Sequence, residues 1–194
     1  MSASPSIVIL AGPNGAGKST LAPLLLRDTL NLPMFVNADT IAQGLAGFDP
    51  LGAALEAGRI MLARLHELAG DGLDFAFETT LASRTYAPWL RELKADGWSV
   101  HLFFLWLDNP DLAVQRVATR VKMGGHAVLE ETVRRRYAAG LRNFAELYQP
   151  IASTWRVYDN SLGLAPQLIA QGAARVRSTV LDQDKWCEFH KACK

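Results

Sequence analysis

The chain has 194 residues, of which 49% are hydrophobic and 20% charged, a balance typical of one globular domain that excludes global disorder. Its formal charge of +1 reflects 20 Lys and Arg against 19 Asp and Glu, so no global charge favours binding to nucleic acid or to an anionic membrane. The longest apolar stretch, residues 102–107, is too short to span a bilayer. Cys187 and Cys193 give no disulfide framework. We therefore expect a cytoplasmic protein, without a secretory signal.

Apolar runs rich in β-branched and aromatic residues alternate with segments of helical period, which is typical of parallel strands joined by crossover helices. The predicted strands are residues 7–11, 34–37, 74–78, 99–107 and 154–158. The predicted helices cover residues 51–68, 87–95, 110–122 and 129–148. Beyond residue 162 the pattern indicates only a short strand pair, 167–170 and 179–181, and a helix from about Asp182. We therefore predict one α/β domain over residues 1–194, with a five-stranded parallel sheet flanked by helices and a C-terminal extension at 162–194.

A glycine-rich segment after the first strand has the pattern of a phosphate-binding loop. It reads Gly12-Pro13-Asn14-Gly15-Ala16-Gly17-Lys18-Ser19, with Thr20 next. Glycines let successive backbone N–H groups surround a triphosphate, the lysine supplies a cation, and the serine hydroxyl is a ligand for Mg²⁺. A glycine-rich turn that only redirects the chain is disfavoured, because strand, loop, Lys-Ser and helix occur in the required order. The segment predicts the P-loop NTPase or kinase fold, with ATP and Mg²⁺ as cofactors, although Pro23 is expected to bend the following helix.

Polar residues directly after the other strands are candidates for the chemistry, because ligands bind at the carboxyl ends of parallel strands. Asp39 follows the second strand and is predicted to accept a proton from an acceptor hydroxyl, or alternatively to cap a helix that starts at Thr40. Glu78 and Thr79 end the third strand and are predicted to bind the acceptor or a Mg²⁺-bound water, with a polar turn as the alternative. Arg84 is a candidate for an anionic part of the substrate, or an exposed helix residue.

An arginine-rich segment at about 120–136 is predicted to form a lid over the nucleotide. Arg116 and Arg120 lie four residues apart on one helix, and Arg134 follows the sequence Gly124-Gly125-His126. Arg135 and Arg136 complete the basic segment. The two glycines suit a hinge, and guanidinium groups stabilise the charge of a transferring phosphoryl group, so at least one arginine of the segment is expected to be catalytic, with Arg116, Arg120 and Arg134 as the candidates. A solvated basic helix face is the alternative.

Polar residues that follow two further strands are also candidates for the site. Asn160, in Asp159-Asn160-Ser161, is predicted to line the adenine or ribose pocket, or to form a turn. Asp108 follows the fourth strand and is a minor candidate for binding Mg²⁺, although Asp-Asn-Pro also commonly starts a helix.

These features together resemble the zeta-toxin family of P-loop kinases, in its short stand-alone branch. The similar segments, in the same order over about 150 residues, are residues 11–20, 37–39, 77–80, 116–136 and 158–161. The resemblance implies an ATP- and Mg²⁺-dependent kinase that phosphorylates UDP-N-acetylglucosamine or a similar nucleotide-sugar. It implies that Asp39 is the base, that Lys18 and Ser19 contact phosphate and metal, that Glu78 contacts the substrate, and that Arg116 lies near the transferring phosphate. It also implies a possible antitoxin partner, of which the sequence shows no fused copy.

Two other functions remain open at this point. One is a P-loop kinase for another hydroxylated metabolite or nucleoside, and the other is a nucleotide-binding switch or NTPase without an acceptor. Two carboxylates beside an arginine-rich lid favour a kinase over a switch. Nucleic-acid binding is disfavoured by the neutral charge.

Overall fold

The computed structural model describes residues 4–32, 34–46, 52–125, 127–163, 165–174, 176 and 178–194, and a seven-stranded sheet forms the centre of these residues. The strands are β1 (Ser6–Ala11), β2 (Phe35–Val36), β3 (Phe75–Thr79), β4 (Ser99–Trp106), β5 (Thr154–Asp159), β6 (Gln167–Ala173) and β7 (Thr179–Val180). Their order across the sheet is β2-β3-β1-β4-β5-β6-β7. The first five strands are parallel, so their carboxyl ends meet at one edge, where the polar residues predicted to be functional follow.

The prediction of an α/β fold is confirmed, but the sheet has two strands more than predicted within the described part of the chain. β6 pairs antiparallel with β5, and β7 pairs antiparallel with β6. The connection from Asp159 to Gln167 is too short for the crossover that a parallel neighbour requires, so the chain turns back on itself. The strand pair predicted in the C-terminal extension therefore widens the central sheet.

Helices cover both faces of the sheet. They are α1 (Lys18–Ala22), α2 (Ala38–Leu45), α3 (Ala54–Gly70), α4 (Tyr86–Ala95), α5 (Pro110–Lys122), α6 (Glu130–Asn143), α7 (Gln149–Ile151) and α8 (Gln183–Ala192). Two π-helical segments, Pro23–Thr29 and Phe144–Tyr148, continue α1 and α6. Because Pro23 has no N–H to donate, the α-helical pattern of α1 ends directly before it, where a bend was predicted. Position 51, where the helix before β3 was predicted to begin, lies outside the described residues.

The core lies between the sheet and these helices. β1 and β4 are almost entirely buried, as their continuous apolar sequences predict for central strands covered on both faces. On α8, Trp186 stacks on Trp155 of β5 with ring centroids 5.5 Å apart, and Phe189 is fully buried, so the C-terminal helix is anchored to the same core. None of the helices within the described ranges has the length and apolar character needed to cross a membrane.

Candidate active site

The loop between β1 and α1 has the backbone geometry of an anion-binding nest. Gly12 and Gly17 have φ angles of 139° and 89°, which residues with side chains rarely adopt. A Cβ atom at Gly12 would lie 2.1 Å from the carbonyl oxygen of Leu105, and one at Gly17 would lie 2.9 Å from Nδ2 of Asn160. The glycines are therefore required both by the turn and by the close approach of neighbouring strands.

Lys18 is buried at the start of α1, with 6% of its surface exposed. Its Nζ donates hydrogen bonds of 2.9 Å to the carbonyl oxygens of Gly12 and Pro13 and lies 3.7 Å from Oε1 of Glu78. Burial lowers the pKa of Lys18 below its ordinary value of 10.5, the negative charges of Glu78 and Asp39 oppose this lowering, and the positive charges of Arg120 and Arg136 add to it. An anion bound in the loop would stabilise this desolvated ammonium group.

Glu78, at the end of β3, lies beside the hydroxyl group of the phosphate loop. Its Oε2 accepts hydrogen bonds of 2.9 Å from Oγ of Ser19 and from Nδ2 of Asn37. A hydroxyl next to a carboxylate is a donor set that suits Mg²⁺, so Ser19 and Glu78 fit the predicted metal. Within the described chain there is no cluster of three or more His, Cys, Asp or Glu side chains that could hold a metal, so the phosphate oxygens would have to supply further ligands.

Asp39 lies in the first turn of α2 and is not the residue that caps this helix. The cap is Asn37, whose Oδ1 accepts the backbone N–H of Asp39 at 2.7 Å and that of Thr40 at 3.4 Å. Of the two interpretations left open by the sequence, capping is therefore ruled out. Asp39 instead lines both cavities of the site.

Two adjoining cavities meet at the phosphate loop, with volumes of about 270 and 230 Å³. The residues that line both are Asn14, Lys18, Asp39 and Glu78. The smaller one, which we call the nucleotide cavity, is also lined by Gly15, Gly17, Ser19, Thr20, Arg116 and Arg120. The larger one, which we call the acceptor cavity because the residues predicted to bind an acceptor line it, extends between α2, α3 and the loop after β3. This arrangement provides two binding spaces with Asp39 at their junction.

The predicted arginines separate into two groups. Arg116 and Arg120 line the nucleotide cavity, and Nη2 of Arg116 donates to the carbonyl oxygen of Ser161 at 2.9 Å. Arg134 lines neither cavity and forms ion pairs with Asp111 and Glu130 at 2.7 and 2.8 Å. The structure therefore does not bring Arg134 to the site.

Arg136, which was not singled out from the sequence, lines the acceptor cavity instead. Helical periodicity could have found it, because Arg136 lies three residues after the buried Val133 and four before the buried Gly140, whereas Arg134 pairs with Glu130 along the exposed face.

The predicted hinge glycines end α5. Gly124 has a φ of 85°, its N–H donates to the carbonyl of Val121, and the N–H of Gly125 donates to the carbonyl of Arg120, which is the hydrogen-bond pattern of a Schellman cap. A Cβ atom at Gly125 would lie 2.5 Å from Cγ of Arg120. These glycines thus fix where the helix that carries Arg120 ends, and position 126 lies outside the described residues.

The loop after β3 forms one wall of the acceptor cavity and is held by α6. Leu81 is buried with a φ of 56°, an uncommon conformation for a residue with a side chain. Nδ2 of Asn143 donates to the carbonyl oxygens of Leu81 and Ala82 at 2.8 and 3.2 Å, and the hydroxyl of Tyr148 donates to the carbonyl oxygen of Ser83. Three consecutive carbonyl groups are thus satisfied from α6 and the π-helical segment that follows it.

Three other residues that the sequence predicted for the site differ in their positions relative to the cavities. Thr79 lines the acceptor cavity, and its hydroxyl accepts the N–H of Leu81 at 3.0 Å, whereas Arg84 is exposed and lines neither cavity. Nδ2 of Asn160 donates to the carbonyl oxygen of Ala16 at 2.8 Å, so this side chain supports the phosphate loop from behind.

Asp108 lies outside both cavities. It is exposed, and its Oδ1 accepts a hydrogen bond of 2.8 Å from Nδ2 of the neighbouring Asn109. The acid beside Ser19 is Glu78, because β3 and not β4 carries the carboxylate that reaches the start of α1.

One buried polar atom of the site has no hydrogen-bond partner within the described part of the protein. It is Oδ1 of Asn14, a residue that is 7% exposed and lines both cavities. Burying a polar atom without a hydrogen bond is costly. Its position in the loop fits a site completed by a polar ligand.

Sequence comparisons identify related proteins. The model of the zeta toxin family matches residues 53–163, more than half of the chain, a range that includes Glu78 and begins after the phosphate loop. A protein of Haemophilus influenzae, described as uncharacterized, is 29% identical over 130 residues, which cover 67% of this chain and 91% of that protein.

Solved structures establish the same fold at low sequence identity. A chain of the AvrRxo1-ORF1:AvrRxo1-ORF2 complex with ATP has a TM-score of 0.78 at 17% identity; the match covers 100% of this chain but only 64% of that one. A chain of the PezAT toxin-antitoxin system of Streptococcus pneumoniae has a TM-score of 0.66 at 14% identity, covering 98% and 85%. A gluconokinase of Sinorhizobium meliloti has a TM-score of 0.51 at 15% identity, covering 80% and 82%. At these identities the similarity concerns the fold.

Proposed function

Since this chain belongs to the zeta toxin family of P-loop kinases, we propose that it transfers the γ-phosphate of ATP to a hydroxyl group of a nucleotide-sugar such as UDP-N-acetylglucosamine. The observation that carries this proposal is the position of Asp39 at the junction of the two cavities, close enough to Lys18 to oppose the lowering of its pKa. A kinase needs a proton acceptor between its nucleotide and its alcohol substrate.

The phosphate loop and Lys18 would hold the triphosphate. Backbone N–H groups of the loop and the start of α1 favour anionic oxygens, and the ammonium group of Lys18 adds positive charge. Ser19 and Glu78 would hold Mg²⁺, which when bound neutralises charge on the β- and γ-phosphates.

Asp39 would then act on the acceptor. Its carboxylate accepts the proton of the acceptor hydroxyl while the hydroxyl oxygen forms a bond to the γ-phosphorus and the bond from that phosphorus to the departing ADP oxygen breaks. Arg116, Arg120 and Arg136, which line the two cavities, would stabilise the charge on the transferring group. The acceptor cavity also disfavours the alternative of a switch without an acceptor, because it adjoins the phosphate loop on the side of Asp39.

A direct product assay tests this function. The purified protein is incubated with ATP, Mg²⁺ and separate nucleotide-sugars, nucleosides and sugars, and mass spectrometry measures any product heavier by one phosphate. We expect a phosphorylated nucleotide-sugar, and we expect Lys18→Ala to form it about 10²- to 10⁴-fold more slowly. Phosphorylation of only another metabolite would correct the acceptor, and ATP hydrolysis that no acceptor changes would support the switch.

The proposal also includes the extent of the domain, the cellular location and a protein partner. We propose a single kinase domain over residues 1–194, a lid at about 120–136 and a cytoplasmic location. A protein partner of the antitoxin type is included because the Streptococcus pneumoniae neighbour comes from a toxin-antitoxin system. Co-purification with the product of an adjacent gene would test that partner.

A further inference from the structure

One buried amide connects the two carboxylates of the site. Asn37 lies between β2 and α2 and is 8% exposed. Its Oδ1 accepts the N–H groups of Asp39 and Thr40 at 2.7 and 3.4 Å, and its Nδ2 donates to Oε2 of Glu78 at 2.9 Å. The same oxygen of Glu78 accepts the hydroxyl of Ser19 at 2.9 Å. A continuous hydrogen-bonded chain therefore runs from the phosphate loop through Glu78 and Asn37 to the turn that carries Asp39.

The oxygen and the nitrogen of this amide make different contacts. The oxygen, which accepts hydrogen bonds, caps α2, and Ser, Thr or Asp could also provide such a cap. The nitrogen, which donates, restrains the carboxylate of Glu78, and the amide reaches both partners at once because its donor and its acceptor are two separate atoms. Because the amide is buried, breaking either contact is costly, so the two contacts fix each other's geometry.

On the basis of the proposed kinase function, we infer that Asn37 is a positioning residue that holds Asp39 and Glu78 in the relative geometry that phosphoryl transfer requires. Asn37 lines the acceptor cavity, but its polar atoms are used by Glu78, Asp39 and Thr40. Its effect on the reaction therefore passes through the two acids.

Substitutions can separate capping from positioning. Asn37→Ser retains a cap for α2 and removes the amide donor to Glu78, whereas Asn37→Ala removes both. The control is Asp182→Ala, because Asp182 caps α8 by accepting the N–H of Lys185 at 3.0 Å and lines neither cavity. Thermal unfolding, steady-state kinetics with ATP and the acceptor that the product assay identifies, and calorimetric ATP binding are measured for each.

We expect Asn37→Ser, which keeps the cap of α2 and loses only the contact to Glu78, to unfold closer to the wild-type temperature than Asn37→Ala and to retain its KM for ATP, while kcat falls about 10- to 100-fold, as is typical for losing an outer partner of functional ligands. We expect Asn37→Ala to lose as much activity and also to unfold about 2–4 °C lower. Asp182→Ala should show a similar lowering of the unfolding temperature with wild-type kcat. Wild-type kcat in Asn37→Ser would mean that Asn37 is only a helix cap and would overturn the inference.

A crystal structure of the Asn37→Ser protein gives a readout that does not depend on the acceptor. We expect the carboxylate of Glu78 to leave the hydroxyl of Ser19. An unchanged Glu78 and an unchanged first turn of α2 would overturn the inference, even if no acceptor is found. A wild-type protein that phosphorylates no alcohol, with Glu78 displaced in the variant, would instead refute the proposed function and leave the structural link intact.

Discussion

Replacing Asp39 by Asn would separate the chemical step from folding and from nucleotide binding. The two side chains have nearly the same shape, but the amide has no negative charge and cannot accept the proton of an acceptor hydroxyl. Because Asn37 and not Asp39 caps α2, the substitution removes no cap. We therefore expect the free energy of unfolding to change by less than about 0.5 kcal/mol, as for substitutions that break no special contact.

The expected kinetic effect is much larger than the effect on stability. A positioned general base contributes about 10²- to 10⁴-fold to a rate, which corresponds to about 3–5 kcal/mol of activation free energy. ATP binding should not weaken, because removing a negative charge near Lys18 does not reduce the attraction for an anionic triphosphate. The variant should thus bind ATP at least as tightly as the wild type while losing phosphoryl transfer.

Calorimetry with ATP, thermal unfolding and product formation by mass spectrometry measure the three quantities. Asp184→Asn is a matched control, because Asp184 also lies in the first turn of a helix, α8, and lines neither cavity. Its kinetics should equal those of the wild type. Wild-type turnover in Asp39→Asn, or a loss of ATP binding as large as the loss of turnover, would refute the assignment of Asp39 as the base.

Three further predictions follow from particular contacts. Arg136→Lys should lower kcat about 10²-fold or more in steady-state assays, whereas Arg134→Lys should change it little, and equal effects would contradict the placement of Arg136 in the acceptor cavity. Gly12→Ala should lower the free energy of unfolding in denaturant titrations by about 3 kcal/mol or more, because its Cβ would overlap a carbonyl of β4 at a strained φ. An unfolding free energy equal to that of the wild type would show that the loop can shift to accommodate the Cβ. Burial raises the pKa of Tyr137 from 10.0 to about 12. Between these pH values the folded protein retains a proton that the unfolded chain releases, so the free energy of unfolding falls as the pH rises. This fall should be less steep in Tyr137→Phe than in the wild type.

Local sequence was sufficient where backbone chemistry alone decides the structure. The glycine pattern predicted the phosphate loop because no other residue adopts φ angles such as those of Gly12 and Gly17 without strain. The long apolar runs predicted β1 and β4 because only strands covered on both faces are apolar throughout. The positions of Asp39 and Glu78 were predicted from strand direction, since residues that follow parallel strands lie at the same edge of the sheet.

Sequence was insufficient where the outcome depends on which side chains meet. Arg134 and Arg136 are two positions apart in one basic run, and helical periodicity separates their faces, but only the packing of α6 shows that the first pairs with Asp111 on α5 and that the second lines the acceptor cavity. Asn160 begins a turn, one of its two predicted roles, because its carbonyl oxygen accepts the N–H of Gly163 at 3.3 Å, but only the approach of β5 to the phosphate loop shows that its side chain supports the carbonyl of Ala16. The partners Asp111 and Ala16 lie far from Arg134 and Asn160 along the chain, so local sequence does not identify them.

The sequence by itself determined the phosphate loop, the parallel strand core and the presence of acidic groups at two strand ends, because backbone conformation and periodic burial are properties of short segments. Only the tertiary structure decided that Asn37 caps α2, that Glu78 rather than Asp108 lies beside Ser19, and that the C-terminal extension adds two antiparallel strands. These features depend on strand order and on distances between residues far apart in the chain, which are fixed when the elements pack into one core.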